Sequence, residues 1–282
     1  KPKVFYPLDK INSKWEKYAD VPEKEVVEDI EVYYPRVVSY PKNILKSTSG
    51  SRYYKGIKKC VQEIYNNFKF DIIHAHTALP DGWAAVQLAK EFRVPCVVTI
   101  HGQDLQHTVN HKSSYAEIKK TIYNSDSVIL VSNKLKTLAE KYLPFAKEKY
   151  SVIANGVDLS LIKDDSSKIK DKYVDKKILL SVGNLKMAKG IDLNLKALNQ
   201  LKEKYPNLYY LIIGDGPEED NLKSLAKSLE IENRTEFLGR LAHKDVMNYM
   251  STCDIFYLPS WKEGFGVVYI EAMVHGKPAI AC

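Results

Sequence analysis

The spacing of apolar residues along the chain switches between two periods. Ile57, Cys60, Val61, Ile64 and Phe68 recur at intervals of three and four, which predicts an amphipathic helix over 51–68. Asp71–Ala75 reads as a short apolar strand, Gly82–Phe92 as a helix, and Val94–Ile100 as a strand rich in β-branched residues. A helix around Tyr115–Tyr123, a strand at Ser127–Val131, a helix at Asn133–Lys141 and a strand at Tyr150–Ala154 continue the series. Strands alternating with helices predict an α/β fold, a parallel sheet covered by helices.

The rhythm breaks over Leu159–Lys177, where Lys163-Asp164-Asp165-Ser166-Ser167-Lys168 is polar and turn-rich, so a linker is expected at 161–176. A second series follows, with strands at Ile178–Val182, Tyr209–Ile213, Glu236–Leu238 and Ile255–Leu258. Helices fall near Leu193–Lys204, Asn221–Leu229 and Asp245–Ser251, another starts at Phe265, and a last strand covers Ala279–Ala281. The expected domains are therefore 1–160 and 177–282, two α/β halves with a cleft between them. Residues 1–50 fit less well: Pro2, Pro7, Pro22, Pro35 and Pro41 punctuate them, and only Asp29–Tyr34 suggests a strand.

Composition narrows the class. A chain of 282 residues, 45% hydrophobic and 27% charged, is long enough for two cores and is not of disordered type. Its net charge of +7 comes mainly from scattered lysines, without an arginine-rich arm or a nucleic-acid motif, so nucleic acid is not an expected partner. Solubility accounts for most of these lysines, and an anionic substrate and peripheral contact with an anionic membrane are the partners a basic surface leaves open. Cys60, Cys96, Cys253 and Cys282 are far apart and form no Cys-x-x-Cys, which argues against a zinc site or redox dithiol and fits a reducing cytoplasm. No apolar run approaches a membrane span, and no signal-peptide core opens the chain. His74 and His76 share one side of a strand end, but no third ligand has matching spacing, so a structural role is expected and a metal is not. His107, His111, His243 and His275 form no constellation in the sequence.

The densest chemistry lies in Glu263-Gly264-Phe265-Gly266-Val267-Val268-Tyr269-Ile270-Glu271. Gly264 and Gly266 permit a tight turn and close approach of a ligand to the backbone. A helix starting at Phe265 points free N–H groups outward, which makes the stretch Gly264–Val267 an anion site suited to phosphate. Glu271 falls roughly 7 Å further along the helix axis, about the reach from a diphosphate to a ribose. The turn follows a predicted strand, the end of an α/β sheet where ligands bind. Taken alone, it also fits a surface turn with charged caps.

The same segment resembles the Glu–x7–Glu signature of the retaining family 4 glycosyltransferases, which have the two-domain GT-B fold. Other stretches resemble that family in the same order: Asp71-Ile72-Ile73-His74-Ala75-His76, Thr99-Ile100-His101-Gly102-Gln103-Asp104, Val152-Ile153-Ala154-Asn155-Gly156-Val157-Asp158, Leu179-Leu180-Ser181-Val182-Gly183-Asn184-Leu185, Lys189-Gly190, Ile213-Gly214-Asp215-Gly216-Pro217 and Phe237-Leu238-Gly239. The resemblance implies two Rossmann-like parallel-sheet domains facing across a cleft, acceptor on the first and nucleotide-sugar on the second. It implies a metal-independent enzyme without a cofactor, whose donor is a substrate; the absence of any Asp-x-Asp agrees. The acceptor implied is a glycan or lipid-linked saccharide of polysaccharide synthesis at the inner membrane face. Family members usually open with a hydrophobic strand and a Gly-rich turn and continue past the last strand here, so a chain trimmed at both ends is expected.

Within this resemblance Glu263 faces the transferred sugar, Glu271 holds the ribose, and Lys189 with the Gly264-Phe265-Gly266-Val267 backbone stabilises the diphosphate. His101 contacts the sugar or its phosphate, or is a loop histidine satisfied by backbone. Arg240 marks the base pocket, whose contacts are largely backbone, and Asp215 lies in a turn beside it. Asn184 stands where the family usually has arginine, and an amide supplies no charge and no bidentate fork. A non-catalytic nucleotide-sugar-binding module is the competing reading, favoured by Asn184 and the trimmed ends. A dinucleotide-dependent oxidoreductase ranks last, since no Gly-x-Gly-x-x-Gly follows a strand.

Overall fold

The computed structural model describes residues 2–3, 21–40, 45–161 and 167–281. The chain divides into two compact units, Lys1–Ala154 and Asn155–Cys282.

In unit 1, β1 (Pro2–Lys3) lies parallel to β4 (Val37–Val38), and β2 (Lys24–Val27) forms an antiparallel hairpin with β3 (Ile30–Tyr33). Only the second hairpin strand is legible in the sequence. Its two-residue turn is Glu28-Asp29, with φ of 48° and 65°. Two-residue hairpin loops require positive φ, but they normally advertise it with Asn or Gly. Helix α1 (Ser49–Asn67) precedes β5 (Ile73–His76), α2 (Trp83–Phe92) and β6 (Cys96–Ile100). The short α3 (Gln103–Gln106), α4 (Lys112–Asn124), β7 (Ser127–Leu130), α5 (Asn133–Tyr142) and β8 (Tyr150–Val152) complete the unit. The four strands β5-β6-β7-β8 pair in sequence order and all run parallel. Their residues Val98, Ile100, Val128 and Leu130 are fully buried, as are Ile118, Ile122 and Leu135 of the covering helices. The apolar face of α1 and the edge strand β5 line a groove of about 570 Å³ containing Ile57, Val61, Ile64, Phe68 and Ile73.

In unit 2, α6 (Ser167–Lys172) leads into β9 (Lys177–Val182), α7 (Ile191–Leu201), β10 (Leu208–Ile213), α8 (Glu219–Ser228) and β11 (Thr235–Gly239). Then come α9 (His243–Thr252), β12 (Ile255–Tyr257), α10 (Val267–Val274) and β13 (Ala279–Ile280). The strands form one parallel sheet in the order β11-β10-β9-β12-β13. The sheet therefore grows outward from β9 to β11, then crosses back to place β12 on the other side of β9.

Part of the stretch expected as linker belongs to this unit. Residues 162–166 lie outside the described residues, but Tyr173 is buried at 6% exposure. Its hydroxyl donates to Glu236 at 2.9 Å and Lys172 reaches the same carboxylate at 2.6 Å, fastening α6 to the edge strand β11. A polar, turn-rich sequence could not reveal that anchorage, because its partner is some sixty residues away. Cys60, Cys96 and Cys253 are free thiols, the last two buried; Cys282 lies outside the described residues.

A buried polar network ties the centre of the unit 2 sheet to α7. The two N–H groups of the Asn194 amide are shared among the Tyr210 hydroxyl at 2.7 Å, the Tyr257 carbonyl at 3.0 Å and the Ser181 hydroxyl at 3.1 Å. Ser181 and Tyr210 are fully buried. Donors and acceptors left unmatched at such depth are costly, so Asn194→Ala is expected to lower stability by about 1–3 kcal/mol. Urea unfolding of the full chain measures this, and an unmoved midpoint would show the network to be dispensable.

Candidate functional site

The strand order places a topological switch point between β9 and β12. Successive connections leave the carboxyl ends of these neighbours in opposite directions, opening a crevice where α/β sheets bind ligands. Both loops bounding that crevice are built on glycine. After β9 the chain passes Gly183, runs through a short 3₁₀ turn at Met187–Lys189, and reaches Gly190 at φ +66°. A Cβ at Gly190 would stand 2.6 Å from the Pro259 carbonyl oxygen, so glycine allows the two loops to touch. The Trp261 N–H donates to the Ala188 carbonyl at 2.9 Å and clasps them.

This contact brings Lys189 and Glu263 together as an ion pair. The Lys189 stem runs beside Gly183, whose hypothetical Cβ would lie 3.7 Å from Cε. The two side chains keep 23% and 26% exposure, so the pair is neither sealed off nor freely solvated. Its ammonium is positioned to exchange a carboxylate for an incoming anion, and its carboxylate is held at a fixed place in the crevice.

Next to the pair, α10 opens without a side-chain cap. The helix begins at Val267 and not at the expected Phe265, because Gly266 sits at φ 82° and ψ 59°, a left-handed conformation that cannot continue a right-handed turn. Gly264 and Phe265 are therefore loop residues, and the first-turn N–H groups belong to Val267, Val268 and Tyr269. The Tyr269 N–H is already bonded to the Gly266 carbonyl at 3.0 Å. A Cβ on Gly266 would meet the Tyr269 ring at 2.5 Å. That ring packs edge-on to Phe256, centroids 5.6 Å apart, and its hydroxyl donates to the Leu258 carbonyl at 2.5 Å. The helix start is thus tied to the end of β12. Its uncapped N–H groups and positive dipole end favour an anion at this position.

The remaining sequence-predicted residues are placed as follows. Glu271 lies on α10, with Oε1 at 2.9 Å from Nε2 of His243, the first residue of α9. His243 therefore does have a partner, contrary to its reading from sequence, because α9 packs beside α10. Asn184 and Asp215 contribute main-chain bonds: the Lys186 N–H donates to the Asn184 carbonyl and the Leu185 N–H to the Asp215 carbonyl, both at 2.8 Å. The Asp215 side chain is exposed. Arg240 is also exposed and follows Gly239, at φ +67°, just past β11.

His101 belongs to unit 1, immediately after β6. Its Nε2 lies 2.8 Å from Nδ1 of His76, so one ring donates and the other accepts. The rings stack with centroids 5.1 Å apart, and His74 follows at 4.6 Å from His76. His74 is also bonded to the Thr99 hydroxyl at 2.7 Å. Burial first, then the charges of His76 and His74, hold His101 below the ordinary histidine pKa; burial and His76 do the same for His74. Among the described residues no group of three His, Cys, Asp or Glu side chains could hold a metal ion, and no helix is long and apolar enough to cross a membrane.

Residues 16–161 match the family model described as Glycosyltransferase Family 4, and residues 162–282 match that described as Glycosyl transferases group 1. The putative teichuronic acid biosynthesis glycosyltransferase TuaC of Bacillus subtilis (strain 168) is 27% identical over 288 aligned positions, covering 99% of this chain and 70% of the relative. The crystal structure of Anabaena Alr3699/HepE in complex with UDP is similar, with a TM-score of 0.70 at 25% identity, covering 87% of this chain and 66% of that one. The sucrose-phosphate synthase of Thermosynechococcus elongatus has the same fold, with a TM-score of 0.76 at 22% identity over 93% of this chain and 68% of that one. The chain thus spans about two thirds of the length of the proteins it resembles. The fold is α/β with two parallel sheets and GT-B structural neighbours.

Proposed function

The chain belongs to glycosyltransferase family 4, and on that premise we propose that it serves a retaining transfer of a sugar from a nucleotide-diphosphate sugar to a glycan or lipid-linked saccharide of a cell-surface polysaccharide. The observation that carries this reading is the Lys189–Glu263 pair at the unit 2 switch point, beside the uncapped start of α10. Lys189 and the Val267–Val268 N–H groups take the diphosphate, whose negative charge grows as the bond to the anomeric carbon breaks. Glu263 orients the sugar hydroxyls and stabilises the positive character that develops on the ring. Glu271 accepts hydrogen bonds from the ribose, and the carboxyl end of β11 near Arg240 borders the base. The acceptor oxygen bonds to the anomeric carbon on the face the phosphate leaves, and its proton passes to the departing phosphate oxygen. No metal is assigned a part. The teichuronic acid relative and the lysine excess support an anionic polysaccharide acceptor and a peripheral place at the inner membrane face.

Calorimetric titration of the full chain with UDP-, GDP- and ADP-sugars tests the donor half of this reading. Saturable binding of one of them, weakened by Glu271→Ala, is the expected result. No binding by a chain shown to be folded would overturn unit 2 as the donor domain. Asn184 favours a second reading, a module that binds the donor without turning it over, since an amide adds no charge to the diphosphate site. Donor binding without product in the presence of native acceptor would select it.

A further inference from the structure

The Glu271 carboxylate is not left to find its own orientation. His243 is on a different helix, yet its Nε2 lies 2.9 Å from Oε1 of Glu271. An ionised carboxylate can only accept, so Nε2 carries the proton and donates. The exposures are unequal, 15% for the Glu271 side chain and 54% for His243. The Glu271 side chain is therefore mostly covered, while its hydrogen bond to the ring is open to the surface. A second carboxylate lies near the ring. Asp158 lines the same small hollow as His243 and Glu271, together with Val157, Met247 and His275. The Asp158 carboxylate accepts from the Ser160 N–H at 2.8 Å; bonds to Ser160 first, then the His243 charge, hold it below the usual carboxylate range. The imidazole thus bonds one carboxylate, that of Glu271, and shares its hollow with a second, that of Asp158.

A carboxylate offers about four acceptor positions, and the imidazole takes one of them. Those remaining suit a pair of neighbouring hydroxyls, but only if the carboxylate plane is fixed against rotation about its last torsion, which is otherwise broad. We propose that His243 is the positioning residue for nucleotide recognition: its Nε2–H locks the Glu271 carboxylate in the plane that receives the cis-diol of a ribose. This rests on the assignment of Glu271 to the ribose. His243 itself touches Glu271 and not the reacting atoms, so its contribution is to donor affinity and to discrimination at the ribose.

The test is calorimetric binding of the tightest-binding nucleoside diphosphate and its 2′-deoxy counterpart to the full chain, in wild type, His243→Ala, His243→Gln, Glu271→Ala and the double alanine variant. Thermal melting of each establishes folding; His243 is exposed enough for its replacement to leave the fold intact. His243→Ala is expected to weaken binding of the ribonucleotide by about tenfold, the scale of one charge-assisted hydrogen bond. Its preference over the deoxynucleotide shrinks toward unity, whereas a merely structural role would weaken both ligands equally. His243→Gln restores part of the preference, since its amide can donate in place of the ring. On the Glu271→Ala background, loss of His243 adds nothing further. A His243→Ala variant that keeps the wild-type preference, while Glu271→Ala loses it, overturns the proposal and leaves the donor site standing. A preference unchanged by Glu271→Ala, or no nucleotide binding by wild type, removes the ribose assignment and the proposal with it.

Discussion

Lys189→Ala is expected to reduce kcat/KM for sugar transfer by about 10²–10³-fold, the scale of losing one preorganised charge from an anion-stabilising site. Two effects act together. The ammonium that meets the leaving diphosphate is gone, and the half-buried Glu263 loses its counter-charge beside an incoming polyanion. Steady-state kinetics of the full chain with donor and acceptor measure the loss, and a melting curve shows that folding is intact. Near-normal turnover would remove Lys189 from the mechanism. Glu263→Ala provides the contrasting case. It abolishes transfer, yet binding of the nucleoside diphosphate stays the same or strengthens, because Lys189 no longer has to leave an internal partner. A simultaneous loss of nucleotide binding would mean that Glu263 is needed to hold the loop, and its direct role at the sugar would fall.

Gly214→Ala is expected to disable unit 2 before any ligand is considered. Gly214 has φ +134°, and an added Cβ would stand 2.0 Å from the Gly183 carbonyl oxygen, a backbone atom that cannot move independently. Around it the carboxyl ends of three strands are laced together. The Gly214 N–H donates to the Gly239 carbonyl at 2.8 Å, the Gly183 N–H to Ile213 at 2.9 Å, and the Leu185 N–H to Asp215 at 2.8 Å. The clash therefore spreads through β9, β10 and β11, and the same loop delivers Lys189 to its place. Strain at a glycine-only conformation combined with a backbone collision puts the cost in the exceptional range, above about 4 kcal/mol. Urea unfolding followed by far-UV circular dichroism checks this; a shift below about 1 kcal/mol would show that the strand ends can separate at little cost.

The helices and strands of both units were legible because their signals are local. Ile57, Val61 and Ile64 recur at helical spacing, and the β-branched run before Ile100 reads as a strand wherever it is placed in space. The misses share a physical cause. The β2–β3 hairpin was only half visible because Glu28 and Asp29 adopt positive φ without the residues that usually signal it. The helix after Glu263 begins two residues late because Gly266 takes a left-handed conformation, with the Tyr269 ring filling the space of its absent Cβ. Tyr173 reads as linker because its anchoring partner, Glu236, is on a strand distant in sequence.

The sequence by itself determined the alternation of elements, the two-unit α/β class, and the identity of the chemical groups: a lysine after one strand, and two carboxylates spaced about a helix start after another. Those properties depend on neighbours a few residues apart, where backbone period and side-chain chemistry act directly. Only the tertiary structure decided that β12 lies next to β9, so that Lys189 pairs with Glu263 across 74 residues, and that α9 lies beside α10, so that His243 grips Glu271. Strand order and helix packing are set by burying the apolar faces of the whole unit at once. Which polar side chains meet at the rim is a consequence of that burial, and no local pattern encodes it.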